Sequence, residues 1–151
     1  MLVSSMITDR QVRNFFNQYA SRMNNALFND PIDLEGIAQS FAENFVGANP
    51  NGIQAGQNDE QFKNAIREGI AFYRNIGIRS MIILDQEVET LDGLHALTKI
   101  LWKCVYDSRS ASGEMMFVNY YMVQCRSNDT IKIFSYVTGD EVNAFREHRL
   151  L

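Results

Sequence analysis

Ala96-Leu97-Thr98-Lys99-Ile100-Leu101-Trp102-Lys103-Cys104-Val105-Tyr106 is the stretch whose alternation decides the fold. Successive side chains of a strand point to opposite faces. Thr98, Ile100, Trp102, Cys104 and Tyr106 therefore share one face, and Leu97, Lys99, Leu101, Lys103 and Val105 share the other. The two lysines turn the second set toward water or a partner and send Trp102 inward. The same two-residue period runs through 78–89, 114–125 and 130–137, so four strands follow Gly77. Their breaks carry Asp92-Gly93, a Ser-rich turn at 107–113 and Asn128-Asp129, connections short enough for antiparallel hairpins.

Upstream of Gly77 the period is helical. Thr8-x-x-Gln11 has the form of a capping box. Val12, Phe15, Phe16, Tyr19, Ala20, Met23, Ala26 and Leu27 then recur on one face of an amphipathic helix, which Asn29-Asp30-Pro31 ends. A shorter helix is expected over 34–44, burying Leu34, Ile37, Ala38 and Phe41. The segment 45–58 holds Gly47, Pro50, Gly52 and Gly56 and reads as a loop. A third helix opens with Asn58 as N-cap, with Gln61 reaching back, and stops at Gly77. Residues 139–151 read as a short terminal helix, in which His148 is expected to be solvated. The whole, 1–151, is expected to be one α+β domain, helices first and then a curved antiparallel sheet.

Composition excludes other classes. The chain has 151 residues, 46% hydrophobic and 21% charged, which rules out disorder and repeats of low complexity. Fourteen basic residues against 18 acidic ones give a net charge of −4 without a basic block, so no nucleic-acid partner is expected. No apolar run approaches a membrane span, and Met1–Ile7 lacks the build of a signal peptide; a cytoplasmic protein is expected. Cys104 and Cys125 have no metal-ligand spacing and no disulfide between them is expected. His95 and His148 lie far apart and no Gly-rich phosphate loop follows a strand, so neither a metal nor a cofactor is expected.

Element order and several residues resemble the nuclear transport factor 2-like superfamily, which includes ketosteroid isomerase, scytalone dehydratase and polyketide cyclases. The marks are Tyr19 late in the first helix, Phe41-Ala42-Glu43-Asn44, and His95-Ala96-Leu97 opening the strand of Trp102. Ile131-Lys132-Ile133-Phe134-Ser135-Tyr136-Val137 and the following Gly139-Asp140-Glu141 complete them. The resemblance implies a cystatin-like cone, three N-terminal helices packed in a curved antiparallel sheet with a pocket at its wide end. It also points to a homodimer, as does the apolar row Leu97, Leu101 and Val105.

The resemblance implies a site inside the cone. Tyr19 stands where isomerase members carry an oxyanion-hole tyrosine, and a second donor position falls on Tyr121. The base position falls on Asn49, and an amide cannot take a proton at neutral pH. What survives is binding of an uncharged, ring-containing or carbonyl-bearing small hydrophobic molecule, with Tyr19, Trp102 and Tyr121 as walls and Asn49 at the mouth. Each residue has a plainer reading too: Tyr19 and Trp102 as core, Asn49 as turn chemistry before Pro50. Two alternatives stand beside this: a filled cone used only for association, and an isomerase or dehydratase using His95 or Asp85. If Tyr106 faces Glu114, His95 falls opposite Cys125, a pair with the makings of an activated thiol.

Overall fold

The computed structural model describes residues 6–126 and 129–151. The elements are α1 (Asp9–Ala26), α2 (Leu34–Ala38), β1 (Phe41–Asn49), β2 (Gly52–Gln57), α3 (Glu60–Ile76), β3 (Ile78–Thr90), β4 (His95–Asp107), β5 (Ser112–Cys125), β6 (Ile131–Val137) and α4 (Glu141–Glu147). One six-stranded sheet runs β2-β1-β6-β5-β4-β3. Every neighbouring pair is antiparallel except β1 and β6, which run parallel.

α1 begins with the expected capping box: Gln11 N–H donates to Thr8 Oγ1 at 3.1 Å and Thr8 N–H to Gln11 Oε1 at 3.0 Å. Its apolar stripe lies in the hollow of the sheet, where Val12 and Phe16 are wholly buried against Ile100 and Val123. Polar ties set its position on β3. Arg13 donates to Gln86 O at 2.7 Å, and Asn24 Oδ1 accepts from Met81 N–H at 3.0 Å. The guanidinium of Arg74 on α3 donates to Ala26 O and Asn29 O, both at 3.0 Å, satisfying carbonyls at and beyond the end of α1. Gly77 ends α3 with φ 103°, a left-handed conformation that suits a residue without Cβ. α4 seals the far end of the hollow with Phe145, packed with Ile78, Cys104 and Met115.

The segment between α2 and α3 departs from expectation. The second helix ends at Ala38, not at residue 44, and 41–57 is a β-hairpin rather than a helix end and a loop. Phe41 and Phe45 are spaced as on a helix, yet both are buried from a strand that pairs with β6 and β2. Gly52 serves the turn with φ 139°, but Gly47 and Gly56 are there for close approach. A Cβ on Gly47 would sit 2.5 Å from the Tyr136 ring, and one on Gly56 2.5 Å from the Phe45 ring. The three N-terminal helices are therefore interrupted by two strands, and the sheet is mixed rather than wholly antiparallel. The α3 cap is likewise one residue later than expected. Asp59 accepts from Phe62 N–H at 3.0 Å, while Asn58 donates to Ala38 O at 2.7 Å and Phe41 O at 3.0 Å.

β4 has the faces its alternation predicts: Ala96, Thr98, Ile100, Trp102, Cys104 and Tyr106 are buried. The β4–β5 register is one residue off the expected one, because the hairpin closes at Asp107 opposite Ser112. Tyr106 faces Gly113 and His95 faces Gln124. That single step puts Met115 in the core and leaves Met116 outside.

Candidate ligand-binding site

The hollow is not filled. α1, α3, five strands and the start of α4 leave a cavity of about 230 Å³, and a void of about 20 Å³ with several of the same wall residues lies toward Phe145. Three residues singled out from the sequence meet there. Tyr19 comes from α1, Trp102 from β4 and Tyr121 from β5, and the Tyr19 ring lies edge-on to the other two with centroids 6.5 Å apart in each case. β4 and β5 bring the latter pair together because even positions of one and odd positions of the other share the inner face.

Tyr121 is the most constrained polar group. Its oxygen accepts from Trp102 Nε1–H at 3.2 Å and from Asn119 Nδ2–H at 3.3 Å. With two donors aimed at it, the hydroxyl keeps its own proton to give to whatever occupies the cavity. The Tyr19 hydroxyl makes no side-chain hydrogen bond among the described residues, so it too is available to an occupant. Burial pushes the Tyr19 phenol well above its ordinary value and raises that of Tyr121, so both stay neutral near pH 7.

The acid of the site was not among the residues expected. Glu141 opens α4, turns into the cavity and accepts a hydrogen bond from the Tyr73 hydroxyl of α3. Burial raises the Glu141 pKa above the ordinary carboxylate value, and the bond from Tyr73 opposes that rise. The buried Cys104 thiol, also facing this carboxylate, is pushed up to about 12, first by burial and then by Glu141. Glu141 follows an N-cap aspartate in a polar tail, and nothing in its neighbours' periodicity turns it inward. Tyr73 stands on the apolar stripe of α3 and reads there as core.

Other expected residues lie elsewhere. Asn49 is exposed at the end of β1, does not line the cavity, and spends its Oδ1 on Asn51 N–H at 2.8 Å, an Asx turn. His95 lies on the outer face of β4, about 23 Å along the strand from Trp102. Its Nδ1 is 3.0 Å from Asp92 and its Nε2 3.1 Å from Gln124. Asp85 is exposed beside the irregularity in β3. Neither His95 nor Asp85 lines the cavity. The His95–Cys125 pair does not form, since the register places Gln124 there and the Cys125 thiol points to Arg126 O at 3.7 Å. His148 is half-buried rather than solvated, with Nδ1 2.9 Å from Ala144 O and its ring against Tyr106. Both cysteines are free and buried.

A larger groove, about 940 Å³, runs outside the cone between the β1–β2 hairpin and α3. Its walls include Phe45, Phe62 and Tyr136, but Asn44, Gln54 and Gln57 on its rim are exposed. The inner cavity is the better candidate site, because it is the more enclosed of the two and gathers the oriented polar groups. Among the described residues no helix is long and apolar enough to cross a membrane.

Among solved structures, the chain is similar to an NTF2-like protein of unknown function from Shewanella oneidensis. The TM-score is 0.67 at 13% identity, covering 87% of this chain and 98% of the other. It is also similar to an NTF2-like protein with a cystatin-like fold from Novosphingobium aromaticivorans, with TM-score 0.64, 12% identity, and 94% and 87% coverage. A ketosteroid isomerase-like protein from Erwinia carotovora gives TM-score 0.61 at 11% identity, with 88% and 97% coverage. At such identities what is shared is the fold. No curated protein matches the chain. The sequence profile of the NTF2-like proteins of DUF6841 matches residues 9–141, and the cone, its mixed sheet and its inner cavity belong to a chain that is a member of that NTF2-like family.

Proposed function

We propose that the inner cavity binds a small ring-containing molecule with a carbonyl or hydroxyl oxygen. The observation that carries this is the Tyr121 hydroxyl, which accepts from two donors and so keeps its own proton free to donate into a space walled by Tyr19 and Trp102. A cavity of ~150 Å³ holds benzene, so 230 Å³ takes one ring with a few further atoms and not a fused four-ring skeleton. Asn49, committed to its turn, supplies neither a base nor a contact in this reading. Trp102 is the chain's one tryptophan, so its emission reports on the site without a label. One-ring phenols and ketones should shift that emission saturably, and Tyr19→Phe should weaken binding by about 0.5–1.5 kcal/mol. A panel that leaves the emission unchanged would defeat the reading in favour of a cone used only as a scaffold.

We also propose that the outer face of the sheet pairs two copies of the chain. Met116, Val118, Tyr120 and Val137 are exposed there, beside half-buried Leu97 and Leu101. Lys99–Glu87 at 3.8 Å and Lys103–Glu114 at 3.7 Å cross the same face. An apolar area of this kind suits a two-fold, self-complementary contact. Light scattering should return twice the chain mass at micromolar concentration, and a 17.3 kDa species would end the proposal.

A further inference from the structure

We propose that the occupant of the inner cavity is an organic cation of about one ring, its ammonium group paired with the Glu141 carboxylate among the aromatic faces. This rests on the cavity being a ligand site and replaces the uncharged ligand expected from the sequence with a charged one.

Three observations lead there. The first is the charge inventory of the walls. Among the described residues Glu141 is the only carboxylate lining the cavity, and no Lys, Arg or His lines it or the adjoining void. The second is how other acids fare. On the surface Glu35 and Glu60 share Lys63, at 2.6 and 3.2 Å, and Asp30 takes Arg74 at 3.2 Å. Glu141, where water is scarcest, has no ion pair among the described residues and only the neutral hydroxyl of Tyr73. A carboxylate so placed pays for desolvation without a counter-charge. Burial raises the Glu141 pKa accordingly, and the bond from Tyr73 offsets only part of that rise. The third is the wall itself: Tyr19, Phe41, Tyr73, Trp102, Tyr121 and Tyr136 surround the same space. Aromatic faces attract cations, most strongly when water is excluded. A ligand with an ammonium group at Glu141 and an oxygen at Tyr121 meets both ends of the cavity.

Benzylamine and benzyl alcohol make the test, since they share shape and size and differ in charge at neutral pH. Titrations on the whole protein, read by Trp102 emission and by calorimetry, should show the cation at least tenfold tighter. Glu141→Gln should reduce that preference to less than threefold, through a larger loss of affinity for the amine than for the alcohol. Glu147→Gln, an exposed carboxylate on the same helix, should change neither. Binding of benzyltrimethylammonium, whose charge is permanent, should weaken as pH falls through the Glu141 titration. The groups facing Glu141 are Tyr73 on α3, Cys104 on β4 and Tyr121 on β5, with Tyr19 and Tyr136 across the cavity. All are held neutral over that range by burial. Equal affinity for the amine and the alcohol, or tighter binding of the alcohol, overturns the inference and leaves the cavity as a neutral-ligand site. Binding of neither overturns both readings. Should Glu141→Gln fail to fold, the wild-type preference and its pH dependence decide the matter by themselves.

Discussion

The two ends of β4 face the same hollow and end differently. At the Ala96–Ile100 end, the first half of α1 presses Val12 and Phe16, both wholly buried, onto the sheet. Thr98 is buried there with its hydroxyl unpaired, as is Gln86 Oε1 on the neighbouring strand. At the Trp102–Cys104 end the helix carries Tyr19 and Met23 instead, and the hollow opens to about 230 Å³. There polar atoms are bonded to one another and still have valences turned to the space, as Tyr121, Tyr73 and Glu141 do. One end is closed by packing and leaves two buried polar atoms unpaired, while at the other the polar atoms are bonded to one another beside open space. That division is what a scaffold holding a site requires.

The comparison can be broken first by truncation. Phe16→Ala removes a ring packed on all sides and should cost about 3–5 kcal/mol in urea unfolding. Trp102→Ala removes a larger ring that already borders empty space, where some contacts are absent to begin with. Its cost should fall at or below ~3 kcal/mol despite the greater size. A Trp102 variant as damaging as the Phe16 variant would mean the cavity end is as tightly packed as the other.

Polar deletions should then separate the ends by sign. Tyr121→Phe strands the Trp102 and Asn119 donors and should destabilise by about 1–2 kcal/mol. Thr98→Val removes an unpaired hydroxyl at nearly constant shape and should be neutral or stabilising by up to ~1 kcal/mol. Loss of stability in the Thr98 variant would show that its hydroxyl has a partner after all.

The third effect concerns pH. Burial raises the folded Glu141 pKa above its unfolded value of 4.5, so the folded state binds more protons between the two values. Stability from this group therefore falls as pH rises through that window and is recovered on acidification below it. Glu141→Gln should remove that slope and be no less stable than the wild type at pH 7. Urea midpoints from pH 4 to 7 measure this, and an unchanged slope in the variant would place the titrating group elsewhere.

Where side chains follow a strict period, their faces were legible from residue order alone. The inward set of β4, the Thr8 box and the stop at Gly77 needed no tertiary context, because each rests on local geometry. The 41–57 hairpin was not legible: two phenylalanines spaced four apart mimic a helix, and glycines needed for close ring contact look like turn residues until Tyr136 and Phe45 lie over them. Of the candidate site, Trp102 could be named in advance from the alternation of its strand, and Tyr19 and Tyr121 from the family resemblance. Asn49 could not be placed, since a hairpin carries it away from the cone's interior. Glu141 and Tyr73 come together across 68 residues of chain, and only the packing of α4 against α3 and the sheet turns that carboxylate into the cavity. Periodicity reports which way a residue faces within its own element; a charge's burial depends on what other elements bring to it.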